Sequence, residues 1–160
     1  MNATPGVKQY GVVNAADRAR LSGFELVCGF VDGSLPLNTM ARTLGYDIVE
    51  ADNGHIVVVA HPTGEHLNPE GTVHGAFATA LLDTCMGLAI RSTLEKGFGS
   101  TTLEFKISFV RPIMVETGLV RAEGTVLNCG RRIGTSEGRV TDAQGRLLAH
   151  GTTTCLIFSR

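Results

Sequence analysis

A chain of 160 residues fits one domain and can bury a core without disulfide or metal staples. Its composition, 43% hydrophobic and 18% charged, is too apolar for a disordered polymer. A net charge of -1 argues against a dedicated nucleic-acid binder, which carries a basic excess or a clustered basic face.

Residues 1–20, MNATPGVKQYGVVNAADRAR, are polar and lack the apolar core of a signal peptide. They read as a loose lead or a short helix before a single domain over 21–160. The segment SGFELVCGFVDGSLP predicts a short helix, with Ser22 as its cap and Pro36 just past its end. LNTMARTLG predicts another helical turn, closed by Gly45. YDIVEA and HIVVVAHP read as strands, and the Asp52-Asn53-Gly54 between them is a strong hairpin-turn signal.

The loop TGEHLNPEGT leads into VHGAFATALLDTCMGLAIRSTLEKG, rich in Ala, Leu and Met and free of proline, which predicts the one long helix. Next, TLEFKISFVRP alternates, with Leu103, Phe105, Ile107 and Phe109 on one face and Thr102, Glu104, Lys106 and Ser108 on the other. GLVRAEGTVLN, RRIGTSEGRVTD and RLLAHGTTTCLIF continue the strand pattern, with turns at Asn128-Cys129-Gly130 and Ala143-Gln144-Gly145. Short turns predict an antiparallel meander. The fold class is therefore α+β, a curved antiparallel sheet wrapped on one long helix.

Cys28, Cys85, Cys129 and Cys155 lie far apart, with no Cys-x-x-Cys pair and no Cys/His zinc spacing. They read as small buried hydrophobes of a reducing compartment, and no metal is expected. No stretch reaches the roughly 18 uninterrupted apolar residues of a membrane helix, so the expected location is the cytoplasm.

Between His74 and Ile90 the long helix carries a single formal charge, Asp83, among Ala80, Leu81, Leu82, Cys85 and Met86. A helix apolar around most of its circumference is buried, and an ionised carboxylate there is costly unless it has a partner. Asp83 is thus a functional candidate. The alternative sets it on a narrow polar stripe with Thr79 and Thr84, facing solvent. At the helix entrance, Asn68-Pro69-Glu70-Gly71-Thr72-Val73-His74-Gly75-Ala76, unpaired N–H groups suit a developing oxyanion, and Gly75 permits close approach of a carbonyl. An ordinary glycine-rich turn is the plainer reading.

The run N-P-E-G-T-V-H-G-A, followed by Asp83-Thr84, resembles the signature of hotdog-fold thioesterases of the phenylacetate-degradation (PaaI-like) type. The likeness continues through T-T-L-E-F-K-I-S-F-V-R-P, Gly130-Arg131-Arg132 and L-L-A-H-G-T-T-T-C, over roughly residues 40–158. It implies hydrolysis of an acyl-CoA thioester, with CoA as part of the substrate and no separate cofactor. It also implies a homodimer or homotetramer with active sites at the subunit interface. Asp83 matches the catalytic carboxylate, as nucleophile or general base, and Gly75 the residue whose N–H polarises the carbonyl. Asn68 matches a residue holding the attacking water or the carbonyl. Thr101 falls where a partner subunit supplies a hydroxyl near the water. His74 matches a histidine whose better reading is a cap-like hydrogen bond, not a general base. Ala76 departs from the family's second glycine, which bears on substrate fit.

Arg111, Arg131 and Arg132 are candidates to meet the CoA phosphates, since arginine binds phosphate bidentately; as plain structure they are solvated strand-end charges. Two other functions compete. One is a non-catalytic acyl-CoA-binding regulatory domain, disfavoured by the presence of Asp83 and the lack of an effector segment. The other is a hotdog hydratase or dehydratase, whose motif would need an aspartate and a histidine where this chain has His66 and Gly71. There is no Gly-x-Ser-x-Gly elbow to support a serine triad.

Overall fold

The computed structural model describes residues 8–160, so residues 1–7 of the expected lead lie outside the described residues. The rest of that lead contains a short helix, α1 (Ala15–Arg20), started by Asn14, whose Oδ1 accepts the Asp17 N–H at 2.8 Å. Helix α2 (Gly23–Asp32) begins at Ser22 as expected. Its hydroxyl accepts the Glu25 N–H while the Glu25 carboxylate accepts the Ser22 N–H, satisfying two donors of the helix start reciprocally. Helix α3 (Thr39–Leu44) ends on Gly45 in the left-handed region.

Strands β1 (Tyr46–Asp52) and β2 (His55–Ala60) form the expected hairpin around Asn53 and Gly54. Helix α4 (Gly75–Ser92) follows, then β3 (Phe98–Phe109), β4 (Val120–Cys129), β5 (Ile133–Asp142) and β6 (Leu147–Ser159). All six strands lie in one antiparallel sheet of order β1-β2-β4-β5-β6-β3. This corrects the expected meander. Of the four C-terminal strands only β4, β5 and β6 follow one another; α4 carries the chain across the sheet, and β3 lands beside β6 at the far edge. The architecture is the hotdog fold, one long helix enclosed by a curved sheet.

The helix also stops earlier than the run to Gly97 suggested. Ser92 turns its hydroxyl back to the Ala89 carbonyl and accepts the Gly54 N–H, while Thr93 bonds the Ile90 carbonyl. Such local side-chain bonds compete with helix continuation. The N-terminus of α2 then seals the end: Gly23 N–H donates to the Leu94 carbonyl, and a Cβ at Gly23 would fall 1.7 Å from the Arg91 oxygen. Only a glycine allows that contact.

Along α4, Phe77, Leu81, Leu82, Cys85, Met86, Ala89 and Ile90 are buried against the sheet. The helix comes unusually close because glycines face it. A Cβ at Gly124 would lie 2.5 Å from the Cys85 backbone, and one at Gly138 would lie 2.8 Å from Met86 Cγ. Among the described residues no helix is long and apolar enough to cross a membrane.

Candidate active site

Asp83 projects from the middle of α4 into a cavity of about 500 Å³ between the helix, α2 and the first half of β3. It is half-buried, between the fully sequestered carboxylate and the solvent-facing stripe that the sequence left open. Thr102 Oγ1 donates to Asp83 Oδ1 at 2.9 Å. Oδ2 has no hydrogen-bond partner among the described residues. Neighbouring Thr84 is tied through Tyr46 to Asn38: Thr84 Oγ1 donates to Tyr46 Oη at 3.4 Å, and Tyr46 Oη donates to Asn38 Oδ1 at 3.0 Å. These bonds link α4 to β1 and α3 beside the carboxylate.

Thr102 was missed in the sequence because β3 does not alternate as read. Its register against β6 slips between Thr102 and Glu104, leaving Leu103 as an extra, 56% exposed residue. Cross-strand partners share a face. Thr102 pairs with buried Cys155, while Phe105 and Phe109 pair with buried Thr153 and Ala149. The bulge therefore puts Thr102 on the helix-facing side with Phe105, Ile107 and Phe109, where strict period two put it with Glu104 and Lys106. Thr101 lines the same cavity but is exposed.

Cys155, beside Thr102, is not a competing nucleophile. Burial pushes its thiol above the usual range, opposed by the Thr102 hydroxyl and reinforced by the Asp83 charge.

The helix entrance lies in a second cavity, of about 440 Å³, with Asn68, His74, Gly75, Phe109 and Arg111 in its wall. His74 is the N-cap, and its Nδ1 accepts the Ala76 N–H at 3.0 Å, the cap-like role expected. Its carbonyl accepts the Phe77 N–H. The Gly75 N–H, at the very start of the helix, has no hydrogen-bond partner among the described residues. The Phe109 ring closes over this point, 3.0 Å from where a Cβ on Gly75 would stand. Asn68 organises the loop before the helix: Oδ1 accepts the N–H groups of Glu70 and Thr72, and Nδ2 donates to Thr72 Oγ1 at 2.8 Å. One Nδ2 hydrogen remains.

Asp83 and Gly75 are thus not neighbours within the chain. Eight residues separate them by about 12 Å along the axis, and they face different cavities. Of the arginines expected at phosphate, Arg111 donates to the Leu147 carbonyl at 2.7 Å. Arg131 and Arg132 are exposed at the β4–β5 turn and line neither cavity. Three other arginines, Arg18, Arg91 and Arg160, do line the Asp83 cavity. Among the described residues no three His, Cys, Asp or Glu side chains gather as a metal site.

Known proteins resemble this chain in sequence and in fold. A model of the thioesterase superfamily matches residues 70–149, from the helix entrance through β6's first residues. A Halobacterium salinarum protein assigned as an esterase is 31% identical over 99 residues, covering 59% of this chain and 64% of that one, a little under two thirds. The acyl-coenzyme A thioesterase PaaI of Escherichia coli K12 is 28% identical over 109 residues, covering 68% of this chain and 75% of that protein. The crystal structure of a phenylacetic acid degradation-related protein from Ralstonia eutropha JMP134, assigned as a thioesterase, superposes with a TM-score of 0.74 at 31% identity. That superposition covers 81% of this chain and 98% of the other. The chain belongs to the thioesterase superfamily, a family of thioester hydrolases.

Proposed function

We propose that this chain hydrolyses acyl-CoA thioesters at sites shared between two subunits, with the carboxylate from one and the oxyanion donor from the other. The observation that carries this reading is the separation of the two groups: one helix offers a carboxylate in one cavity and a free N–H in another, and neither cavity holds both. Both cavities abut β3. Ser100, Thr101 and Thr102 line the first, and Phe109 and Arg111 the second.

β3 is a 12-residue edge strand with Leu103, Phe105 and Phe109 substantially exposed. A long apolar edge is a template for pairing. Two copies of β3 paired antiparallel about a two-fold axis would set the start of one against the end of the other. Asp83 of one protomer would then approach Gly75 and Asn68 of the partner subunit. Formation of such a dimer, alone or within a tetramer, is part of the proposal.

In the composite site the thioester carbonyl oxygen accepts from Gly75 N–H, and the remaining Asn68 Nδ2 hydrogen steadies the carbonyl or the water. Asp83, oriented by Thr102, acts through Oδ2. As general base it takes a proton from water while the water oxygen bonds the carbonyl carbon. As nucleophile it forms an anhydride that water then opens. Either way the C–S bond breaks, the thiolate leaves and is protonated, and the acid and CoA depart. Phe109 and the apolar cavity walls limit water at the reacting carbon.

The test is turnover by free-thiol release over a panel of acyl-CoA substrates. Asp83→Asn is expected to fold normally and lose about 10²–10⁴-fold in kcat, the usual worth of a positioned general base. Replacing Gly75 with Val should lower kcat more than it weakens CoA binding. An Asp83→Asn protein with intact folding and undiminished turnover overturns the assignment.

A further inference from the structure

The Asp83 cavity ends on two arginines that have no part in the hydrolysis. Arg91 lies eight residues beyond Asp83 on α4, about 12 Å along the axis, and is only 5% exposed. One of its nitrogens, Nη1, donates to the Phe98 carbonyl; the other N–H groups of its guanidinium have no partner among the described residues. Arg160 reaches the same place from the end of β6. Its backbone N–H bonds the Gly97 carbonyl at 2.7 Å, and its Nε stands 2.7 Å from where a Cβ on Gly99 would be.

No carboxylate of the described residues is within ion-pair distance of either guanidinium; the ion pairs among the described residues lie elsewhere. Residues 1–7, MNATPGV, contain no acid. Burial first, and the like charge of Arg160 second, bring Arg91 down to about 10. A buried cation without a counter-charge is costly, and a bound anion relieves that cost. Exposed Arg18 adds a third positive charge to the cavity wall. The rest of the lining is mixed: apolar Leu26, Phe30, Leu37, Ile48 and Leu88 stand with the polar side chains of Asn38, Thr84, Ser100 and Thr101.

We propose that the arginine end of this cavity is an anion subsite and that the preferred acyl group carries a carboxylate at the end remote from the thioester. The proposal deepens the thioesterase reading and rests on it for the identity of the substrate. The side chains of Leu26, Phe30, Leu37, Ile48 and Leu88 accommodate an alkyl or aryl run. Those five apolar side chains suit such a run better than the amide-bearing pantetheine arm, so we assign the anion to the acyl chain, and thioesters without a CoA phosphate test that choice. Arg91 and Arg160 present donors that a carboxylate accepts in pairs.

The test compares suberyl-CoA with octanoyl-CoA, equal in chain length and different in terminal charge. The wild-type protein is expected to favour suberyl-CoA by about tenfold or more in kcat/KM, the worth of one charge-assisted hydrogen bond. Arg160→Gln, at an exposed residue that leaves the core intact, should cut that ratio several-fold, and Arg91→Met should abolish it. The same preference should appear with N-acetylcysteamine thioesters, which carry no phosphate. If instead Arg160→Gln slows both CoA thioesters equally and neither N-acetylcysteamine thioester, the arginines hold a CoA phosphate and the acyl assignment is overturned. Equal rates for the two acyl groups in the wild type also overturn it.

Calorimetric titration with free suberate and octanoate separates this proposal from the hydrolase reading. A protein inert toward every thioester that still prefers suberate, and loses the preference in Arg160→Gln, overturns the hydrolase reading and sustains the subsite. Absence of any preference for suberate overturns the subsite.

Discussion

Thr102 fixes one oxygen of Asp83 with a single hydroxyl donor and leaves the other free toward the cavity. Replacing it with valine keeps the shape of the side chain and removes the donor. We expect Thr102→Val to lower kcat about tenfold, in line with the worth of a hydrogen bond to a charged group, with a smaller effect on KM. Thr102→Ser should restore most of the loss; steady-state kinetics on the three proteins checks both. At this scale the sequence was most informative where a residue type is out of keeping with its surroundings or belongs to a cap. Asp83 stood out as the one charge in an apolar helix, Gly75 and His74 as the helix start, and Asn68 as a loop residue ahead of it. Thr102 was hidden because one extra residue in β3 reverses which side chains face inward, and a bulge leaves no mark in hydrophobic alternation. Arg91 was hidden because an arginine near a helix C-terminus is unremarkable: the helix dipole favours a cation there whether or not it binds anything.

Among the elements, the β5–β6 turn carries its own acid sensitivity. Burial raises the Asp142 carboxyl, but the N–H and guanidinium of Arg146 and the N–H of Gln144 outweigh that and hold it below the usual carboxylate value. A depressed folded-state value means that the stabilisation is complete above the unfolded value, roughly pH 3.9, and is lost as pH falls through the folded one. Thermal unfolding followed from pH 6 to pH 2 should therefore show a steeper loss in the wild type than in Asp142→Asn. The variant should already be less stable at neutral pH.

Most elements were legible, since caps, turns and hydrophobic runs are local features: Ser22, Gly45 and Asn53-Gly54 each did what its chemistry suggests. The end of α4 was not, because it depends on Ser92 meeting Gly54 and on α2 pressing against Arg91, contacts between distant parts of the chain. Nor was the strand order. Turn lengths reveal which strands follow each other, but β3 leaves its sequence neighbours to pair with β6. Gly124 and Gly138 lie inside segments read as strands, but nothing local marks them as the places where the Cys85 backbone and the Met86 side chain of the helix press on the sheet.

For the whole molecule, the separation of Asp83 from Gly75 along one helix gives the shared-site reading a sharp test. Proteins bearing Asp83→Asn alone or Gly75→Val alone should both be nearly inactive. Co-refolded in equal amounts, they should recover roughly a quarter of the wild-type rate, since half of the randomly mixed two-fold dimers hold one intact site. Activity measurements on the mixture, with light scattering to confirm the dimer, check this; sites confined to one subunit would recover nothing.

The exposed edge of β3 has a further consequence for how catalysis responds to dilution. If that strand brings the two halves of the machinery together, specific activity is not a constant of the polypeptide. It falls as protomers come apart, so the observed rate at low enzyme concentration climbs with nearly the square of the amount added. It becomes linear once association is complete. A small molecule or peptide that occupied the same strand edge would silence the protein without entering either cavity.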